Sequence, residues 1–178
     1  MSNSTSVRAA TEADLPAILA ITNEVIANTT AIYAFQPQSL EERKRWFHDL
    51  KAGGWPVIVS VEAGQVTGFG SIGVFRARPG YKYTGEHSVH VHVDHRGKGI
   101  GRALLQALIT EAERMELRTM VGGIDAENAV SLKLHADMGF VETARMPSVA
   151  WKFDRWLTLV FMQLTLQGPR TPREGNDR

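Results

Sequence analysis

Hydrophobic and polar positions follow two rhythms along this chain. Ser6 to Ala10 alternates like a short strand, and Thr11 with Asp14 three residues on has the form of a helix-opening cap. Leu15, Ile18, Leu19, Thr22, Val25 and Ile26 then recur at helical spacing. Ser39 with Glu42 is a fuller capping box and predicts a second helix to about Leu50, closed by Gly53-Gly54. Strand patterns follow at Val57 to Glu62, Val66 to Phe75 and Glu86 to Val93, the first two joined by the turn Ala63-Gly64-Gln65. Gly68, Gly70 and Gly73 predict bulges or close backbone approach in the middle strand. A helix is predicted from Gly99 to about Met115, with Ile100, Ala103, Leu104, Ala107, Leu108 and Ala112 on one side. Strand Arg118 to Gly122, helix Glu127 to Met138, strand Phe140 to Ala144 and strand Trp156 to Leu166 complete the pattern, the last apolar on both faces over much of its length. The order β-α-α-β-β-β-α-β-α-β-β implies an α/β (α+β) chain, a mixed sheet with helices on its faces.

Composition narrows the classes. A chain of 178 residues suggests one domain with an ample core, here residues 1–166. Residues 167–178, polar and proline-bearing, are expected to form a mobile tail. A formal net charge of +1 gives no global field toward nucleic acid or membrane. No apolar run reaches the ~20 residues of a membrane span, and the start lacks the profile of a signal peptide. With no cysteine, thiol nucleophiles, thiolate metal sites and disulfides drop out. A cytoplasmic location fits these features.

The segment richest in chemistry runs from Val89 to Arg102, a strand entering a glycine-rich turn that opens a helix. Three glycines in five residues, Gly97, Gly99 and Gly101, let backbone approach a ligand closely. The first amides of a helix lack intrahelical acceptors and carry the positive end of its dipole. The combination makes a pyrophosphate cradle, to which Lys98 and Arg102 add charge. A Walker loop is absent. Arg102 stands where a dinucleotide fingerprint needs its third glycine, which disfavours that fold.

Arg96-Gly97-Lys98-Gly99-Ile100-Gly101 resembles the coenzyme A loop of the GNAT acetyltransferase superfamily, and Asn128 to Phe140 is similar to that superfamily's Asn-x-x-Ser/Ala-x-x-Leu-Tyr/His-x-x-x-Gly-Phe segment. Tyr83-Thr84-Gly85-Glu86-His87-Ser88-Val89, Leu134-His135 and Lys152 to Leu157 narrow the resemblance to the phosphinothricin and methionine sulfoximine acetyltransferases. His90 replaces the subfamily's usual tyrosine, and Gly85 and Thr158 also depart from its pattern.

The resemblance implies a mainly antiparallel sheet of about six to seven strands with about four helices, acetyl-CoA as co-substrate without a metal, a small-molecule amine as acceptor, and a homodimer. It places cofactor contacts at Val89, His90, Val91, Gly97, Lys98, Gly99, Ile100, Gly101, Arg102 and Asn128. Glu86 and His135 correspond to catalytic positions, and Arg76, Ala77, Arg78, Pro79, Tyr83 and Glu86 to the substrate side. The chemistry is consistent with those types. An amine attacks a thioester only when unprotonated, so a base is needed, and arginine forks suit carboxylate or phosphinate. Bland alternatives stand beside each role: a solvated carboxylate at Glu86, a packing histidine at His135, a helix N-cap at Asn128. Tyr33 and Phe35 are candidates for apolar walls or for core. Three rival functions stay open: a metallohydrolase built on His87, His90, His92 and His95, an acyl-CoA sensor without turnover, and an acetyltransferase for protein or peptide amines.

Overall fold

The structure is a computed structural model that describes residues 6–174. Its elements are β1 (Ser6–Ala9), α1 (Leu15–Asn28), α2 (Leu40–Ala52), β2 (Val57–Glu62), β3 (Gln65–Val74), β4 (Thr84–Val91), α3 (Ile100–Arg114), β5 (Thr119–Asp125), α4 (Ala129–Asp137), β6 (Val141–Lys152) and β7 (Arg155–Thr165). The order is the one the hydrophobic pattern predicts. The strands form one seven-stranded sheet in the order β1-β2-β3-β4-β5-β7-β6. The β1–β2, β2–β3, β5–β7 and β6–β7 pairs are antiparallel, and β4–β5 is parallel.

The chain divides into two compact units, Met1–Ser71 with Val89–Leu108, and Ile72–Ser88 with Ile109–Arg178. In the first, Ala10, Leu15, Ile18, Ile21, Val25, Phe47, Val57, Val59 and Phe69 form one buried cluster. Each valine, leucine, isoleucine or phenylalanine of this cluster contributes roughly 1.5–3 kcal/mol when removed from water. The entry to α1 is fixed by Asp14, whose carboxylate accepts from the Thr11 backbone at 2.8 Å and from both arms of the Arg8 guanidinium at 2.7 and 2.8 Å. Those bonds hold it down to about 2. The Ser39–Glu42 capping box opens α2 as its sequence predicts. Ala63 and Gly64 take φ of 48° and 80°, which closes the β2–β3 hairpin.

Glycine 68 answers the expectation of close approach: a Cβ there would lie 2.9 Å from the His90 carbonyl oxygen and 3.1 Å from Leu104. The β2–β3 register shifts nearby, between Ser60 and Val61. In the second unit, Met120, Val121 and Ile124 of β5 and Leu157, Val160 and Met162 of β7 are buried. Strand β6 differs most from expectation. It runs to Lys152 instead of Ala144, and its register against β7 shifts between Met146 and Ala150, where Ser148 has φ 53°. The β7 faces are unequal over Leu159–Met162: Val160 and Met162 on one face are buried, while Leu159 and Phe161 on the other are half-buried. Part of the expected tail is described. Arg118 donates to the Leu166 and Gln167 carbonyls at 3.0 and 2.8 Å, while residues 175–178 lie outside the described residues.

Candidate active site

The glycine loop is built from backbone. After β4, a single 3-10 turn over Val93–His95 leads into Arg96 and the opening of α3. Gly97 and Gly99 take φ of 77° and 82°, in the left-handed region that L side chains rarely adopt. Nothing lies within 4 Å of a Cβ built on either, so backbone conformation rather than crowding selects glycine there. Gly97, Lys98, Gly99 and Arg102 are exposed and Gly101 half-buried, while Ile100 anchors the helix start in the core. Arg96 holds the turn in place, donating from Nε to the Val91 carbonyl at 3.2 Å and pairing with Glu24 of α1. A helix start, two exposed bases and two exposed left-handed glycines fit a diphosphate.

Val89, His90 and Val91 sit half-buried on β4 just before that turn. The His90 ring lies 5.2 Å from the Phe69 ring. Desolvation, then the nearby charges of Arg43 and Arg96, lower His90 to about 4, so it is neutral near pH 7. Arg43 itself is buried, stacked 4.4 Å over Trp46, and lowered to about 10 by desolvation. No sequence signal marked it as an interior residue, because α2 is otherwise rich in exposed charge. Phe35 is 65% exposed. It is therefore no part of the core that was one of its two readings.

The second group of candidates lies where β4 and β5 part. Their parallel ladder pairs Thr84 with Thr119, Gly85 with Met120 and Glu86 with Val121, and ends there, although β4 continues to Val91 and β5 to Asp125. Successive side chains of a strand alternate faces. Glu86 and Gly123 accordingly share one face: a Cβ on Gly123 would lie 3.6 Å from the Glu86 carboxylate. On the other face His87 stands against Gly122. Glu86 is half-buried, and desolvation raises its pKa above the ordinary carboxylate value, with the charge of Arg76 pulling the other way. Arg76 is thus brought into electrostatic reach of Glu86. Ala77, Arg78 and Pro79 are exposed in the same loop. Tyr83 turns toward the chain's end, its hydroxyl accepting from the Arg173 backbone at 3.3 Å.

His135, on α4, is 5% exposed. Its Nδ1 lies 2.7 Å from the Ser131 carbonyl, and its Nε2 lies 2.9 Å from Nε2 of His87. The two ring centroids lie 5.1 Å apart, and Phe140 stands against both, at 5.1 and 5.2 Å. Desolvation lowers both histidines, His87 to about 3. The metallohydrolase alternative groups His87 with His90, His92 and His95. Instead it pairs with His135, His90 faces Phe69, and the His92 and His95 rings meet at 5.6 Å. Among the described residues no three His, Cys, Asp or Glu side chains gather as metal ligands would. Asn128 caps α4, its Oδ1 accepting from the Ser131 backbone at 3.1 Å. Among the described residues no helix is long and apolar enough to cross a membrane.

Residues 19–140, which hold the whole loop and both strands of the parting ladder, match the model of the acetyltransferase (GNAT) family. The chain belongs to that family. Among its GNAT relatives is the L-methionine sulfoximine/L-methionine sulfone acetyltransferase of Pseudomonas aeruginosa, 47% identical over 169 residues that cover 94% of this chain and 98% of the relative. The structure of YncA from Salmonella typhimurium with its cofactor acetyl-CoA is 44% identical, with a TM-score of 0.94 over 97% of this chain and 99% of that one. A GNAT phosphinothricin acetyltransferase from Sinorhizobium meliloti in complex with acetyl-CoA is 34% identical, with a TM-score of 0.92 over 96% and 94% of the two chains. The subfamily read from Tyr83–Val89, Leu134-His135 and Lys152–Leu157 is the one these relatives represent.

Proposed function

We propose that this GNAT protein transfers acetyl from acetyl-CoA to the amino group of a small amino-acid analogue of the methionine sulfoximine, methionine sulfone or phosphinothricin type. The observation that carries the proposal is the exposed turn Gly97–Gly99 with its two left-handed glycines at the start of α3. Relatives solved with acetyl-CoA support that co-substrate. Lys98 and Arg102 supply charge to the diphosphate, amides of Ile100 and Gly101 bind it, and Val89, His90 and Val91 offer strand backbone to the pantetheine arm. Asn128 keeps its side-chain amide for the cofactor while its oxygen caps α4.

In this reading the substrate's ammonium loses a proton to Glu86, directly or through a water, and the amine attacks the thioester carbonyl. The C–N bond forms, the C–S bond breaks, and the departing thiolate takes up a proton. Glu86 suits the base because it is half-exposed and burial makes its carboxylate more basic. His135 is the second candidate for proton handling, as donor to the thiolate or acceptor from the amine. Arg76 and Arg78 meet the substrate's anionic end, with Ala77, Pro79 and Tyr83 shaping the loop. A small amino-acid analogue that is toxic in its free form would be detoxified by this reaction. A cytoplasmic location fits a chain that contains no cysteine.

A second copy of the chain is the partner we assign to the β6–β7 face. Val141, Val149, Trp151, Phe153 and Trp156 are 44–67% exposed there. Exposed apolar side chains concentrated on an edge strand and its turn mark an interaction site.

The test is a screen for free coenzyme A release with acetyl-CoA and methionine sulfoximine, methionine sulfone, phosphinothricin, ordinary amino acids and a peptide amine. The analogues should exceed the peptide in kcat/KM by ~100-fold, because a site built for a free carboxylate leaves its polar groups unpaired with a peptide. Tight acetyl-CoA binding without thiol release from any amine would mark a sensor instead.

A further inference from the structure

The two adjacent glycines of β5 face opposite sides of the sheet, and they differ in what surrounds them. On the side of His87, a Cβ on Gly122 would meet the imidazole at 2.8 Å. On the other side Gly123 is exposed. A Cβ there would meet nothing closer than Leu159 Cδ1 at 3.4 Å, the Glu86 carboxylate oxygen at 3.6 Å and Phe161 Cε1 at 3.8 Å. These are ordinary van der Waals distances, and the φ of Gly123 lies outside the left-handed region. Neither crowding nor backbone conformation therefore demands glycine at this position. The same face of β5 is otherwise covered: Val121 is 6% exposed and Asp125 3%. The missing side chain leaves a notch in a closed surface.

The walls of the notch differ in chemistry. Phe161 pairs directly with Gly123 across the β5–β7 ladder, and Leu159 pairs with Asp125, so both side chains stand on the Gly123 face. Both are half-buried and present only carbon. Glu86 borders the notch from β4, at the last rung of the ladder between β4 and β5. The charge of Arg76, from the loop before β4, reaches that carboxylate.

An α-amino acid carries an amine, a carboxylate and a side chain on one carbon. In the proposed reaction, on which this inference rests, the amine meets Glu86 and the carboxylate meets Arg76 and Arg78. The side chain remains, and the carbon-walled notch lies beside Glu86. We propose that Gly123 is a specificity-determining residue, and that the space between Leu159 and Phe161 receives the β- and γ-carbons of an acceptor unbranched at its β-carbon. Walls in contact on two sides leave width for a methylene chain and none for a second branch.

The experiment is steady-state coenzyme A release by the wild type, Gly123→Ala and Leu159→Ala, with valine and with the best unbranched amino-acid acceptor from the screen. The wild type should favour the unbranched acceptor over valine by ~10-fold or more in kcat/KM, the effect of a methylene-sized misfit in an apolar pocket. Gly123→Ala places a methyl group in the notch. It should lower kcat/KM for the unbranched acceptor by ~10-fold or more, through the KM of that acceptor. KM for acetyl-CoA and the urea midpoint should stay nearly unchanged. Leu159→Ala opens the wall and should narrow the preference over valine by ~10-fold. A purely structural role would lower stability without moving the acceptor KM or the preference. The proposal is overturned if folded Gly123→Ala matches the wild type within ~3-fold on the unbranched acceptor. It is equally overturned if that variant raises KM for acetyl-CoA instead, which would assign the notch to the cofactor. Should Gly123→Ala not fold, Leu159→Ala decides alone, and an unmoved preference overturns the proposal. A wild type that releases no coenzyme A with any amine sinks the acetyltransferase reading and the inference with it. An active wild type that prefers valine, or that fails any of the earlier checks through its variants, sinks the inference alone.

Discussion

The glycine loop and the histidine pair solve opposite problems. The loop is made of backbone, lies open to water and keeps its cations exposed. The pair is made of side chains, is dry, and keeps both rings neutral. Each depends on glycine, for different reasons. Gly99 needs its φ of 82° with empty space around it, whereas Gly122 needs the empty space that a Cβ would fill. A site for a large anion must stay accessible and can accept screened charge. A pair that holds two rings neutral must exclude water, because hydrogen bonds and charges count for more in a low dielectric.

The largest effect should come from the loop. Gly99→Val combines a left-handed φ with a β-branched side chain, and affinity for acetyl-CoA should fall by ~100-fold or more in titration calorimetry. An unchanged Kd would mean that the turn plays no part in binding the diphosphate, and the contrast between the two regions would lose one side.

Next comes Glu86, on the face of β4 opposite His87. Glu86→Gln should lower kcat by roughly 100-fold. The base works only when ionised, so wild-type kcat/KM should fall as pH drops through a midpoint above the ordinary carboxylate value, in the direction that burial imposes. Arg76 favours the ionised form. Arg76→Ala should therefore move that midpoint to higher pH, and a pH–rate profile with an unmoved midpoint would separate Arg76 from the base.

The smallest effect sharpens the difference between the two glycines. Gly122→Ala should destabilise the fold by about 1–3 kcal/mol through overpacking against His87, read as a lower urea midpoint. Acetyl-CoA affinity should stay as it was. A variant as stable as wild type would show that the pair has room to move.

The sequence made the backbone-built region far more legible than the side-chain-built one. Glycines that need a positive φ, capping boxes such as Ser39–Glu42 and the apolar stripe of α1 are local signals, so the elements and the loop could be read in order. Asn128 as a cap was legible for the same reason. The His87–His135 contact joins residues 48 apart, and only the approach of β4, β5 and α4 creates it. No local pattern distinguishes His87 from His90, His92 or His95. The second half of β6 was missed because Arg145, Pro147 and Ser148 look like a loop. Edge strands tolerate proline and irregular register because one side of their backbone has no strand to pair with. The burial of Arg43 was hidden by its charged neighbours, Lys44 and Arg45.

The β6–β7 hairpin has one practical consequence. Trp151 and Trp156 are paired across it, 45% and 67% exposed, and they are two of the four tryptophans in the chain. Their indoles sit in water when the face is bare, so emission shifts to the blue as soon as something covers them. The hairpin thus carries its own optical gauge of whatever covers this face, readable without a dye or a label.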